Sequence, residues 1–355
     1  MKPIQYGIVG CGGFTQGHLE QMQAARGWEL VGVVDPDDGN RNQIVTRAGI
    51  DPAHAFADEA AFYDGLTADV VFVHTPVSAH AGNCRRALAA GCHVCCQKPF
   101  VHDLAAGLEL VEIARASKRV ISVGQTMRME AVTKTIARTI ADGMIGEPRF
   151  GHRMVYRNRM RWQRSYHYQE DWPSIHVMGS HWMDLYRFWF GGRVRRVSFR
   201  GIACDWDPYK DPGAITGWVE MESGAVITWQ ESFISAVPHD PSRAPFEDDV
   251  IQGSKGAIHW TGPWGLGPVE LWEGSAEKAV QIDGGGGRPP AAMTAIMDAL
   301  RATLQENAPV FCPAADNLWS MAALFAAQQS AQQGGAPVDV LELAREAGLE
   351  ESESS

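Results

Sequence analysis

Lys98 stands where chemistry is easily placed, at the end of GCHVCCQKPF (residues 91–100). There an apolar run of cysteine and valine gives way abruptly to Gln97, Lys98 and Pro99. An ammonium at the mouth of a buried strand can hold a substrate hydroxyl, or the negative charge that develops on its oxygen. A solvated or salt-bridged loop lysine is the plainer alternative. His181 and Asp184, in GSHWMDLYRFWFGG (179–192), lie three residues apart and so share one face of a helix. An imidazole titrates near neutrality and suits proton removal from a hydroxyl as hydride leaves the carbon. Asp184 is spaced to orient that ring, or to cap a neighbouring loop. Trp182, Leu185, Phe188 and Trp189 around it read as core. RSYHYQEDWPSIH (164–176) is dense in rings and hydroxyls, and with Tyr168 and His176 it suits a sugar, whose apolar faces take aromatic cover. Arg161, just before it, suits the carboxylate of a sugar acid.

These groups need a scaffold, and the first third of the chain supplies one. Apolar strands in IQYGIV, ELVGVV, DVVFV, CHVCC and RVISV alternate with helical stretches, one of them behind a capping Asp103. That alternation predicts a doubly wound parallel sheet covered on both faces, with ligands at the carboxyl ends of its strands. Gly10-Cys11-Gly12-Gly13-Phe14-Thr15 follows the first strand. Its glycines permit a tight turn and close approach to a pyrophosphate resting on a helix N-terminus. Thr15 replaces the usual third glycine, and its hydroxyl can reach a phosphate. Asp35 closes the second strand about 20 residues on, where a carboxylate binds both ribose hydroxyls. A dinucleotide is therefore expected: NAD by the count of acids near Asp35, with Arg41 keeping NADP open.

The chain resembles the glucose–fructose oxidoreductase and inositol dehydrogenase group, the Gfo/Idh/MocA type. The resemblance rests on a T-P-x-x-x-H turn (Thr75, Pro76, His80), on Gln97-Lys98-Pro99 in place of Glu-Lys-Pro, and on a G-x-H-x-x-D helix (Gly179, His181, Asp184). GEPRF, IQGSKGAI and DNLWSMAALFAAQQSAQQGG also match its habits. It implies an N-terminal Rossmann domain and a C-terminal α/β domain with a large open, mostly antiparallel sheet. It implies cofactor contacts from Thr75, Pro76, His80, Gln97 and Lys98, a catalytic or substrate-orienting Lys98 beside an often cis proline, and a catalytic His181. Two departures stand out. Gln97 loses the charge of the usual glutamate, and Val177 occupies the place of an aspartate that works with the histidine, with His176 the nearest polar neighbour.

RFGHRMVYRNRMRWQR (149–164) alternates arginines with apolar residues. Its apolar parity is expected on the domain core and its arginine parity on an open face, which the resemblance implies is used for homo-oligomer contacts, as a dimer or tetramer. Turns are expected at Ser223-Gly224 and Ser254-Lys255-Gly256, and loops at PHDPSRAPFEDD and DGGGGRPP. The clustered Cys92, His93, Cys95 and Cys96 alternate faces of one strand and cannot converge on an ion, so no metal site is expected.

A net charge of −11 argues against nucleic acid. No run approaches the ~18–20 apolar residues of a membrane span, no secretory leader is evident, and seven unframed cysteines fit a reducing cytoplasm. The expected domains are 1–125, which binds NAD(P), 126–345, for substrate and oligomer contacts, and a flexible acidic tail, 346–355. The activity expected is hydride transfer between nicotinamide and a secondary alcohol or ketone of a sugar, cyclitol, sugar acid or related polyol. Two rivals are a resident-NAD enzyme driving elimination, epimerisation or glycoside cleavage, and a non-catalytic dinucleotide-binding protein.

Overall fold

The computed structural model describes residues 2–160, 168–169, 171–236, 246–261, 268–274, 279–282 and 292–350. Contacts divide the chain into two units, Met1–Met129 with Pro290–Leu318, and Glu130–Pro289 with Trp319–Ser355.

The first unit is built on six strands: β1 (Ile4–Val9), β2 (Trp28–Val34), β3 (Ala55–Phe56), β4 (Val70–Val73), β5 (His93–Gln97) and β6 (Ile121–Gly124). Their order is β3-β2-β1-β4-β5-β6 and every pairing is parallel. This is the doubly wound arrangement, whose strand order reverses beside β1. Five helices connect the strands: α1 (Gly13–Ala24), α2 (Asp38–Ala48), α3 (Glu59–Gly65), α4 (Val77–Ala89) and α5 (Leu104–Ala116). Asp37, Asp58 and Asp103 cap α2, α3 and α5 by accepting backbone N–H bonds three residues on. Val70, Val71, Phe72 and Val73 are all fully buried, as a central strand covered on both faces requires.

The second unit starts with α6 (Ala131–Ala141) and β7 (Pro148–Tyr156). A π-helical turn at Ser174–Gly179 then runs into α7 (Ser180–Phe190). Seven strands follow: β8 (Val194–Gly201), β9 (Ala214–Met221), β10 (Val226–Ser232), β11 (Phe246–Gly253), β12 (Gly256–Thr261), β13 (Val269–Glu273) and β14 (Val280–Ile282). After α8 (Ala292–Glu306), in the first unit, come α9 (Ala314–Gln332), β15 (Val338–Asp339) and α10 (Val340–Glu346). The second sheet has nine strands in the order β14-β13-β12-β11-β7-β10-β9-β8-β15. β10 pairs with β7 in parallel; the other described pairings are antiparallel. The expected turns at Ser223-Gly224 and Ser254-Lys255 join β9 to β10 and β11 to β12.

Three expectations fail here. The faces of β7 are reversed: Arg153 and Arg157 point into the core, while Phe150 is 61% exposed. Countercharges explain it. Arg153 Nη1 donates to Glu247 and Asp249 at 3.0 Å, Arg157 Nη2 donates to Glu247 at 3.3 Å, and Glu231 lies 3.9 Å from Arg153 Nε. Buried guanidinium groups tolerate desolvation only with such partners. Secondly, Phe246–Asp249 belong to β11 and not to a loop, since Glu247 and Asp249 are those inward partners. The rest of that stretch, and 283–290, lie outside the described residues. Thirdly, order extends into the tail: Ala347 and Leu349 donate backbone bonds to Leu343 and Ala344, and Leu349 is buried. Residues 351–355 lie outside the described residues.

Candidate active site

Four strand ends meet along one edge of the parallel sheet. After β1 the chain passes through Gly10 at φ +101°, and a Cβ there would lie 2.7 Å from the His74 carbonyl carbon, so only glycine fits. At Gly12 and Gly13 nothing lies within 4 Å of a Cβ position, which leaves the floor of the turn open. Gly12 is the N-cap of α1 and supplies no side chain to its first N–H groups. The Asp35 carboxylate accepts from the Cys11 N–H at 2.7 Å and the Asp37 N–H at 2.9 Å, which fixes it beside the turn. Burial pushes the neighbouring Cys11 thiol up to about 12, so it stays protonated.

Thr15 departs from expectation. Its hydroxyl is fully buried and donates to the Gly10 oxygen at 2.5 Å, so it does not reach for a phosphate. With that proton used, the 2.9 Å contact to His74 Nδ1 has the ring donating. Burial lowers the His74 pKa to about 3, so that ring is neutral. Phe14 packs edge-on against it, with centroids 4.8 Å apart. Thr15 is thus a clasp between the ends of β1 and β4. Arg41 is also committed, donating to the Asp35 backbone oxygen and pairing with Asp38.

The Thr75-Pro76 turn follows β4. The Thr75 hydroxyl donates to Asn83 at 2.7 Å, Asn83 donates to Glu59 at 2.9 Å, and Arg86 pairs with Glu59. Lys98, half-buried, follows the last residue of β5, and the Lys98–Pro99 peptide is cis. Gln97 Oε1 accepts the Lys98 N–H at 2.7 Å, whereas Gln97 Nε2 is buried with no hydrogen-bond partner. His80 faces both turns. Its Nε2 meets the Thr75 oxygen at 2.7 Å, and its Nδ1 meets the oxygens of Pro99 at 2.9 Å and Phe100 at 3.2 Å. Both ring nitrogens therefore face backbone oxygens. The open glycine floor, the uncapped helix start, the fixed carboxylate and the orphaned Gln97 amide fit a dinucleotide.

The second unit carries the other expected residues. His181 is 6% exposed and Asp184 fully buried on α7. Asp184 accepts from the Ser320 hydroxyl at 3.2 Å, and Arg187 donates to that hydroxyl at 2.9 Å. His176, in the π turn, bonds Gln328 Oε1 through Nε2 at 2.7 Å. Burial holds its pKa below the ordinary value, although the Gln328 bond opposes the shift. The Tyr168 hydroxyl donates to the Met160 oxygen at 2.6 Å, and its ring meets Tyr209 edge-on at 5.2 Å. Arg161 lies outside the described residues. Ser320 and Gln328 sit more than 130 residues along the chain, and no local pattern announced them. Beneath α7, burial pushes Asp249 up to about 7, and burial with the Glu247 charge pushes Glu130 up to about 8. Among the described residues, no group of three or more His, Cys, Asp or Glu is placed to hold a metal ion. Among them too, no helix is long and apolar enough to cross a membrane.

Comparison with known proteins follows the same two-part division. Residues 4–125 match the Gfo/Idh/MocA model described as an oxidoreductase family with an NAD-binding Rossmann fold, and residues 133–259 match the Gfo/Idh/MocA C-terminal domain. A D-apiose dehydrogenase of Paraburkholderia graminis is 26% identical over 197 residues, 55% of this chain and about half (52%) of that protein. An oxidoreductase of Agrobacterium radiobacter, solved with NAD+, L-tartaric acid and magnesium, is 20% identical with a TM-score of 0.84, covering 96% of this chain and all of its own. An inositol dehydrogenase homolog of Azotobacter vinelandii, solved with NADH and myo-inositol, is 20% identical with a TM-score of 0.77, covering 95% and 98%. At such identities the solved structures speak to the fold. With both domain models matched in order, the chain belongs to the Gfo/Idh/MocA oxidoreductase family, an NAD-binding Rossmann domain followed by the family's C-terminal domain.

Proposed function

We propose that this protein is an NAD-dependent dehydrogenase or reductase acting on a secondary alcohol or ketone of a sugar, cyclitol, sugar acid or related polyol. The observation that carries the reading is the setting of Lys98. It stands at the end of β5, its amide held by Gln97, on the sheet edge that also bears the open glycine turn and Asp35. D-apiose, myo-inositol and tartaric acid, named with the three relatives, are all polyhydroxylated, which supports the substrate class.

Asp35 holds the ribose hydroxyls, the first turn of α1 meets the pyrophosphate, and the Gln97 amide offers a donor to the nicotinamide end. NAD, when bound, supplies the hydride acceptor. The Lys98 ammonium stabilises the emerging alkoxide and His181 takes the hydroxyl proton. Tyr168, His176, Asp184 and Arg161 serve substrate orientation. Arg41 is tied to Asp38 and the Asp35 backbone, which favours NAD over NADP. Apolar Phe150 and Phe246, exposed on the open sheet face, support a homo-oligomer through that face. Val177, at the position where the resemblance implies an aspartate, favours one second reading: a retained cofactor with transient oxidation.

The test is a panel of myo-inositol, D-apiose, L-tartrate and common aldoses, each with NAD and NADP, followed by NADH absorbance. At least one polyol should reduce NAD, and Lys98→Ala should lower kcat by roughly 10²–10³-fold while NAD still binds. Product without net NADH supports the second reading. Full activity in Lys98→Ala refutes the role given to the lysine.

A further inference from the structure

Two turns of the first unit meet on one side chain. His80 sits one helical turn into α4 and is 1% exposed. Its Nε2 faces the Thr75 oxygen at 2.7 Å, and its Nδ1 faces the oxygens of Pro99 and Phe100 at 2.9 and 3.2 Å. A carbonyl oxygen only accepts, so each contact uses a ring N–H; the neutral ring serves one turn with its proton and the imidazolium serves both. The Thr75 side is itself anchored, through Asn83 to the buried Glu59 on α3. Burial holds the His80 pKa below its ordinary value, so the neutral ring has one proton; on Nδ1 it ties α4 to the peptides that follow Lys98, while the Thr75 side is held separately through Asn83. On its other side Lys98 is held by Gln97, whose Oε1 accepts its amide.

We propose that His80 is a positioning residue for Lys98: by binding the Pro99 and Phe100 carbonyls through Nδ1–H, it sets the direction in which the ammonium projects. The ring acts through the backbone of the turn and touches no reacting atom. The proposal rests on the reading of Lys98 as the group that meets substrate oxygen, and its test separates the two. Misplacing a catalytic group by as little as 1 Å can cost on the order of 10²-fold in rate, so a turn held on both sides is worth building.

The experiment uses the full chain with lysines dimethylated by ¹³C-formaldehyde and a borane reductant, in wild type, His80→Gln and His80→Asn, with NAD added afterwards. The Lys98 signal is assigned by its loss in Lys98→Arg. It should move in both His80 variants while the other lysine signals stay in place. In parallel, kcat for NAD reduction by myo-inositol or D-apiose enters a double-mutant cycle. His80→Gln should cost roughly 10–100-fold alone and less than about twofold in a Lys98→Ala background. An unmoved Lys98 signal, or equal losses in both backgrounds, overturns the proposal. If no compound of the panel above is oxidised by wild type, the assigned reaction fails and the Lys98 signal still decides the role of His80. Should both variants fail to fold, the ring ¹⁵N shifts of wild type decide it: a proton on Nδ1 upholds the tie, and a proton on Nε2 alone overturns it.

Discussion

The Arg153 guanidinium sits over the indole of Trp182, its central carbon 3.4 Å from the ring centroid, and Trp182 is the neighbour of His181 in the chain. The buried charge that inverts the faces of β7 thus also seats the helix that carries the proposed base. Burial opposes the charge on Arg153, but Asp249, Glu247 and Glu231 outweigh it and raise its pKa. Arg153→Met takes the shared cation from three buried carboxyl groups and leaves only Glu247 with another, Arg157, so a loss of about 3–5 kcal/mol is expected in urea unfolding. Arg153→Lys keeps the charge, loses the guanidinium's contact with the ring and its several donors, and should cost about 1–2 kcal/mol. Equal stability of Arg153→Met and wild type would refute this account.

The same cluster predicts how stability varies with pH. Glu130 titrates at about 8 in the fold against an ordinary 4.5, and Asp249 at about 7 against 3.8. Both keep protons that the unfolded chain has already released. The folded state therefore binds more protons across that window, and stability falls as pH rises from about 4 to about 8. Glu130→Gln removes its share. Against wild type it should gain about 2 kcal/mol at pH 8, since solvent reaches part of the carboxyl, and nothing at pH 4. Thermal melts at the two pH values check this; a gain independent of pH would count against it.

The glycine turn separates two kinds of damage. Gly10→Ala forces a Cβ against the His74 backbone at positive φ, so the fold itself suffers, by about 2 kcal/mol or more. Gly12→Val meets open space in the free protein and should melt like wild type, yet it fills the cradle and should weaken NADH binding at least tenfold. Melting curves and NADH fluorescence titrations distinguish the pair. Tight NADH binding by Gly12→Val would remove the cradle from the site.

On the open face of the second sheet, Phe246 pairs with Tyr156 across adjacent strands, ring centroids 5.8 Å apart, and Phe150 stands on the same face opposite Gln252, at the other end of β7. Phe150→Glu with Phe246→Glu should convert an assembled protein to monomer in light scattering, with the fold retained by circular dichroism. A wild type that is already monomeric at micromolar concentration would refute assembly through this face.

The positions of Lys98, Asp35 and the glycine turn were legible because each depends on a few adjacent residues at the end of a strand. Alternation along β7 was legible too, but not which parity lies inside. That depends on Glu247 and Asp249, which enter from β11 about 90 residues later. Thr15 misled for a related reason. Its hydroxyl faces either the ligand or the protein, and His74, 59 residues away, makes the inward choice favourable. The helix start after Asp103 was readable, because a cap is a local bond between a side chain and an amide three residues on.

Met293, Ile296, Met297 and Leu300 of α8 are at most 1% exposed and share a core with Leu19, Met22 and Phe72 of the first unit. During synthesis the opening 129 residues leave the ribosome with that groove unfilled, and they wait for some 160 more before its plug emerges. The nascent chain therefore carries a sticky apolar trench through nearly half of translation, and a fragment ending at Met129 is expected to aggregate where the whole chain folds.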